Sequence, residues 1–433
     1  MNDKRGQLYV CYVVFLLFLV NAANYGQRMI IAILLPAIKT DLGLSDQQLG
    51  ILMGGGFALF FAIAGVPLAR FADRTVRRTF LAGAAVFWSS ATALFGMTQT
   101  FVQMLAARVA LGVGESACIP VSHSLLTDYV AHQNRPFALG VHSTGGVMGV
   151  TLSLIVGGYL ASIFGWRVTM LLMAIPGFVL AILIMTTLRE PTRHGVSAAT
   201  AQVPLRTVIR HLLSLKSYLL LLVAICFSLL VEFGLNQWLP SYYVRQFGLS
   251  MTEVGYRYGV AVAIGGIPGS ILGGLLANRL LRADVRWLVW LPAAAYAIAL
   301  PVGLSMLLAT SAQTALTLNA LYAFAVFATN GAFWTACFIS VPTMMRATTS
   351  AITLLVGGVC GIALGPVLVG AISDALVGQS GGQSLQSSLV VVECLALVVV
   401  VTLLRAARYL QRESLQAQTT EPAVSGAVSA TAR

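Results

Sequence analysis

The sequence predicts an all-α membrane protein, with twelve transmembrane helices in two pseudo-symmetric six-helix bundles. Three observations predict it. Hydrophobic residues make up 58% of the 433 residues and charged residues only 9%, where a soluble domain carries roughly 25% charged residues. Apolar runs long enough to cross a bilayer, about 20 residues each, follow one another along the chain. The second half of the chain also repeats landmarks of the first.

The runs fall at about 8–36, 47–70, 77–97, 101–129, 136–164, 167–188, 217–245, 252–280, 286–309, 313–342, 347–375 and 385–410. Lys4 and Arg5 precede the first run as they would in a signal peptide. The run continues past Leu35 without a small-residue cleavage site, so it reads as a membrane span. Short turns separate the runs, except at 189–216, which is polar and basic. Residues 1–188 and 217–412 are therefore the expected bundles, with 189–216 a cytoplasmic linker. Residues 413–433, rich in Ala, Thr and Ser, are expected to be a disordered cytoplasmic tail.

The net charge of +12 is assigned to loops. Basic residues cluster between apolar runs, and no zinc-finger spacing or aromatic–basic interleaving points to nucleic acid. Lys39, Arg167, Arg245 and Arg257 fall on one side and most of the other basic residues on the opposite side. By the positive-inside rule both termini are cytoplasmic, and a bacterial inner membrane is the expected location. The six cysteines form no C-x-x-C and sit in apolar runs, where they read as small hydrophobes. No cofactor or metal is expected. There is no P-loop, G-x-S-x-G or H-E-x-x-H, so an enzyme is not expected. The charges are not arranged in rings, which disfavours a channel.

The repeat is specific. Gly43-Leu-Ser45 and Ala72-Asp-Arg74 recur 205 residues on as Gly248-Leu-Ser250 and Ala277-Asn-Arg279. Gly145-Gly-Val-Met-Gly149 recurs 212 residues on as Gly357-Gly-Val-Cys-Gly361. Parallel six-helix repeats of this kind are a transporter architecture with the site near the midplane. Inside the fourth run, Arg108 and Glu115 stand seven residues apart, on one helical face. Gly112 and Gly114 between them permit close approach. Buried charges of this kind mark an ion or substrate pathway by default.

The loop Ala69-Arg-Phe-Ala-Asp73-Arg74-Thr-Val-Arg77-Arg78 resembles the signature loop of the major facilitator superfamily, with two of its glycines replaced by Ala69 and Val76. Leu105 to Gly114 is similar to the superfamily's L-x-x-x-R-x-x-x-G-x-G. Gly112-Val-Gly-Glu-Ser, Ser124-Leu-Leu-Thr-Asp128, Gly165-Trp-Arg167, Arg189-Glu-Pro191 and Trp238-Leu-Pro240 resemble the spinster-like branch. The anion:cation symporter branch is the nearest rival, and its Gln-x-Pro-Gly-Gly is replaced here by Gly65-Val-Pro-Leu-Ala69. Both branches usually carry Asp-Arg in span 1, where this chain has Gln27-Arg28. Glutamine does not titrate.

The resemblance implies a secondary transporter working by alternating access, expected to be a monomer in the lipid bilayer. The expected cargo is a small organic anion carried by proton-coupled symport. The alternative is a lysolipid-like or other amphipathic substrate, and a non-transporting receptor would share the same sequence features. Substrate contacts are expected from Arg28, Gln27, Asn24, Phe57, Phe61, Asn236 and Asn330. Proton coupling is expected at Glu115, with Arg108 and Glu232, and gating at Asp73, Arg74, Arg77 and Arg78. His123 and His142 read as packing or loop contacts.

Overall fold

The structure is a computed structural model that describes residues 4–131, 134–191, 204–342, 345–378 and 383–431. Part of the expected linker, residues 192–203, lies outside them. The described residues are helical, with no strand among them. In chain order the elements are α1 (Lys4–Leu42), α2 (Asp46–Met53), α3 (Gly55–Asp73), α4 (Arg77–Gly96), α5 (Phe101–Glu115), α6 (Cys118–Tyr129) and α7 (Arg135–Thr187). They continue with α8 (Leu205–Ser214), α9 (Lys216–Phe247), α10 (Met251–Leu281), α11 (Trp287–Leu307), α12 (Ala312–Phe327) and α13 (Asn330–Ile339). The last are α14 (Arg346–Gly357), a π-helical turn (Gly358–Ala363), α15 (Leu364–Ala375), α16 (Ser384–Cys394) and α17 (Ala396–Thr431).

Eleven stretches are long and apolar enough to cross a membrane. The longest, Phe137–Thr187, lies in α7. The backbone of α7 leaves the helix at Gly165, with φ 74° and ψ 169°, a conformation that favours glycine. That break makes two crossings of one stretch and brings the total to twelve. Trp166 Nε1 and Arg167 Nη2 then donate to Asp41 at 3.1 and 2.8 Å, which fastens the turn to the end of α1.

The repeated Gly-Leu-Ser has a local cause. Gly43 and Gly248 end their helices with φ of 62° and 64°, the left-handed cap that L side chains resist. Ser45 and Gln48 then form a reciprocal capping box at the start of α2. Ser250 and Glu253 do the same for α10. The glycine repeat has a packing cause. A side chain on Gly149 would run into the backbone of Ala22 in α1, and one on Gly361 would meet Leu229 and the Cys226 carbonyl of α9.

Gly149→Val is therefore expected to cost at least the roughly 1–3 kcal/mol of ordinary overpacking, because the obstructing atoms are backbone. A clear fall in the thermal unfolding midpoint in detergent checks it. Gly83→Ala, where nothing lies within 4 Å of the added carbon, is the control.

Contacts divide the chain into two compact units that depart from the expected 1–188 and 217–412. Unit 1 comprises Met1–Val196, Asn236–Val260 and Pro366–Val377; unit 2 comprises Ser197–Leu235, Ala261–Gly365 and Gly378–Arg433. Unit 1 thus takes in the end of α9, the start of α10 and the end of α15. The core of unit 2 is built on Leu221, Ile225, Tyr296, Phe333, Leu403 and their neighbours. In the segment 413–431, expected to be disordered, the helix of α17 continues to Thr431. A helix already nucleated inside a span extends at little further cost. The linker likewise contains a helix, α8.

Candidate functional site

Within unit 1, Arg28 on α1 is the centre of a polar cluster. Its Nε donates to Glu115 Oε2 at 2.9 Å and its Nη2 to Asn24 Oδ1 at 3.2 Å. Asn24 stands one helical turn before Arg28, on the same face. Three aromatic rings surround the guanidinium, with centroids at 4.7 Å for Tyr25, 4.7 Å for Phe57 and 4.8 Å for Phe61. Cation–π attraction of this kind strengthens when water is excluded. Arg28 keeps 12% of its side chain exposed, while Glu115 and Asn24 have none. Nη1 of Arg28 makes no hydrogen bond among the described residues. Glu115 Oε1 and Asn24 Nδ2 are likewise buried without a partner. The cluster therefore offers a donor, an acceptor and a cation with unused capacity in a largely buried place.

Helix breaks position these groups. The fourth crossing breaks after Glu115, which ends α5, before α6 begins at Cys118. Gly112 lets α5 approach the backbone of α3, since an added carbon would stand 2.6 Å from the Phe57 carbonyl oxygen, and Gly114 lies as close to Phe87 and Trp88.

Arg108 does not pair with Glu115. Its Nε donates to the Leu52 carbonyl at 2.9 Å and its Nη1 to the Arg28 carbonyl at 3.4 Å. The break at Gly54 leaves carbonyls of the last turn of α2 without helical partners, and Arg108 satisfies one of them. The seven-residue spacing placed both charges on one face but did not say which cation reached the acid.

Gln27 is turned away from this cluster. Its amide exchanges hydrogen bonds with Ser89 and Thr92 of α4, the Thr92 hydroxyl donating at 3.0 Å. Its neighbour Arg28 faces the cluster because consecutive helical residues point about 100° apart. Asn236 accepts from the Tyr258 hydroxyl at 3.3 Å. Asn330 begins α13 and is exposed, and Glu232 is half-buried in unit 2. His123 and His142 are in edge contact, 4.9 Å between centroids.

The basic loop after α3 ties helix ends together inside unit 1. Arg77 is buried and donates to Asp128 at 2.6 Å, to Glu190 at 3.0 Å and to the Ser124 hydroxyl at 2.8 Å. The backbone N–H of Arg78 donates to Glu190, and its guanidinium to the Leu188 carbonyl. Arg74 is exposed, and the Asp73 side chain lies outside the described residues.

A second ionic cluster in unit 1 escaped the reading of the sequence. Asp46, in the first turn of α2, accepts both Nη atoms of Arg245 at 2.8 Å, Lys39 Nζ at 2.5 Å and the Ser373 hydroxyl at 2.7 Å. Asp374 in turn accepts the backbone N–H groups of Asp46 and Gln47, at 3.0 and 2.7 Å. This caps α2 at the positive end of its dipole. The cluster joins segments some 200 and 330 positions apart in the chain, so no local spacing announces it.

Residues 17–366 match the family model described as Major Facilitator Superfamily. An "MFS-type efflux pump" of Mycolicibacterium smegmatis is 31% identical over 89% of this chain and 90% of its own length. The "Hexuronate transporter" of Bacillus subtilis is 27% identical over 89% of this chain and 93% of its own. The crystal structure of a bacterial homolog to the human lysosomal transporter spinster, inward-facing and unoccupied, superposes with a TM-score of 0.81. It is 27% identical and covers 96% of this chain and 99% of that one.

Proposed function

Because the chain belongs to the Major Facilitator Superfamily, a family of multi-pass membrane transporters, we propose that it carries a small organic anion together with a proton. The observation that carries this reading is the state of Arg28. Its side chain is partly exposed where Glu115 and Asn24 are not, and Nη1 is unused while Nε is held by Glu115. A carboxylate arriving at Arg28 competes with Glu115 for the cation. Glu115 is buried, and with the cation shared it takes a proton more readily. Proton and anion then bind cooperatively and move together between two states of the protein. Uronates are the class to try first, since one relative is named for them.

The test is uptake of labelled D-glucuronate into proteoliposomes. Arg28→Gln is expected to abolish uptake, and Arg28→Lys to retain a small fraction, because an ammonium lacks the planar fork that grips two partners at once. Full uptake by Arg28→Gln would refute the reading.

A second reading is favoured by the rings of Tyr25, Phe57 and Phe61 around the cation: an amphipathic cargo with an anionic head on Arg28. Uptake of a labelled lysophospholipid, with no uronate uptake, would select it. We place both termini on the cytoplasmic side of a bacterial inner membrane, on the asymmetry of Lys and Arg. Reporter fusions at each terminus test that placement.

A further inference from the structure

We propose that unit 2 holds a proton-binding site of its own, formed by Glu393 and Tyr322. Glu393 lies in the last turn of α16 and has no exposed surface. Its Oε2 accepts the Tyr322 hydroxyl of α12 at 3.0 Å. Its Oε1 is buried without a partner. Gly303 of α11 makes the space for that atom, since an added carbon would stand 2.6 Å from Oε1.

Among the described residues no cation pairs with this carboxyl. Among the described residues the ion pairs use Glu115, Asp46, Asp128, Glu190, Asp41, Glu253 and Asp284, and none uses Glu393 or Glu232. Tyr322 of α12 and Gly303 of α11 stand against its carboxyl, and neither carries a charge. The first basic residue of α17 is Arg405, about 18 Å further along the chain at 1.5 Å per residue. A carboxylate so enclosed, with one neutral donor and no cation, binds a proton rather than remain charged. Tyr322 donates to Oε2, so the proton goes to Oε1, the atom without a partner.

The site would supply a titrating acid in a chain whose first span has Gln27. Its part in coupling rests on the transport reading above, whereas proton binding itself needs no cargo.

Infrared difference spectroscopy on the purified full-length protein in detergent, between mildly acidic and mildly alkaline pH, tests it. The expected result is a protonated-carboxyl band that Glu393→Gln removes and Tyr322→Phe shifts, equal in sodium chloride and in choline chloride. A spectrum unchanged by Glu393→Gln overturns the proposal, and so does a band that disappears on adding sodium, which would make this a cation site. If Glu393→Gln fails to fold, Tyr322→Phe decides, since an unshifted carboxyl spectrum overturns the proposal. Glu115→Gln measured alongside keeps the two acids apart, so a failure of the Glu115 reading leaves this result legible.

Discussion

Glu115→Gln is expected to abolish accumulation driven by a pH gradient and to leave counterflow exchange of D-glucuronate intact. The amide keeps the size of the acid and its acceptor oxygen, so the 2.9 Å contact from Arg28 Nε can survive. What is lost is the ability to take up and release a proton. Driven uptake needs that cycle, and exchange needs only the conformational change with cargo bound. The variant also leaves Arg28 facing a neutral partner in a buried setting. Removing one member of a buried pair costs about 3–5 kcal/mol when nothing replaces it, and the retained acceptor together with Asn24 and the three rings reduces that. Expression and thermal midpoint are thus expected to change less than function. Undiminished gradient-driven uptake by Glu115→Gln would end the reading of Glu115 as the coupling acid, because Gln27 leaves no other acid beside Arg28 in the first span.

The second large effect is expected at Asp46. Asp46→Asn withdraws the charge that two cations and a hydroxyl share and leaves Lys39 and Arg245 repelling one another. Asp46 is 1% exposed, Arg245 28% and Lys39 35%. Water therefore screens the cations in part, and the loss belongs toward the lower end of about 3–5 kcal/mol. The segments that depend on the contact are the end of α9 and the end of α15, which Asp46 and Asp374 hold to the start of α2 inside unit 1. Hydrogen exchange at residues 366–377 is expected to accelerate roughly a hundredfold, the equivalent of just under 3 kcal/mol, with uptake falling in parallel. Unchanged protection there would show that packing alone holds the segment. The close approach of Gly50 to the Pro366 backbone and of Gly370 to Asp46 is the packing that would have to suffice.

Much of the site was legible because membrane burial makes charge rare. Arg28, Arg108 and Glu115 stand out in apolar runs, and three of the expected neighbours, Asn24, Phe57 and Phe61, do meet Arg28. The sequence could not decide which cation pairs with Glu115. A helix fixes the angle between residues, but the partner is chosen by a crossing helix and by which broken helix end needs a donor. Arg108 was claimed by the Leu52 carbonyl, and Arg28 was left for the acid. Gln27 was displaced by the same logic, since Ser89 and Thr92 satisfy its amide on the far side of α1. Glu393 was passed over because one acid in a span gives no hint of Tyr322, 71 positions away.

By itself the sequence determined the membrane class, the twelve crossings, the internal repeat and the family, because these rest on composition and on local rules of capping and glycine packing. Gly43 with Ser45, and Gly248 with Ser250, dictate the same turn wherever they occur. Tertiary structure alone decided the pairing of charges, the Asp46 cluster and the membership of the two compact units. Those depend on side chains distant in the chain, brought together only when buried polar groups must each find a partner in a medium without water.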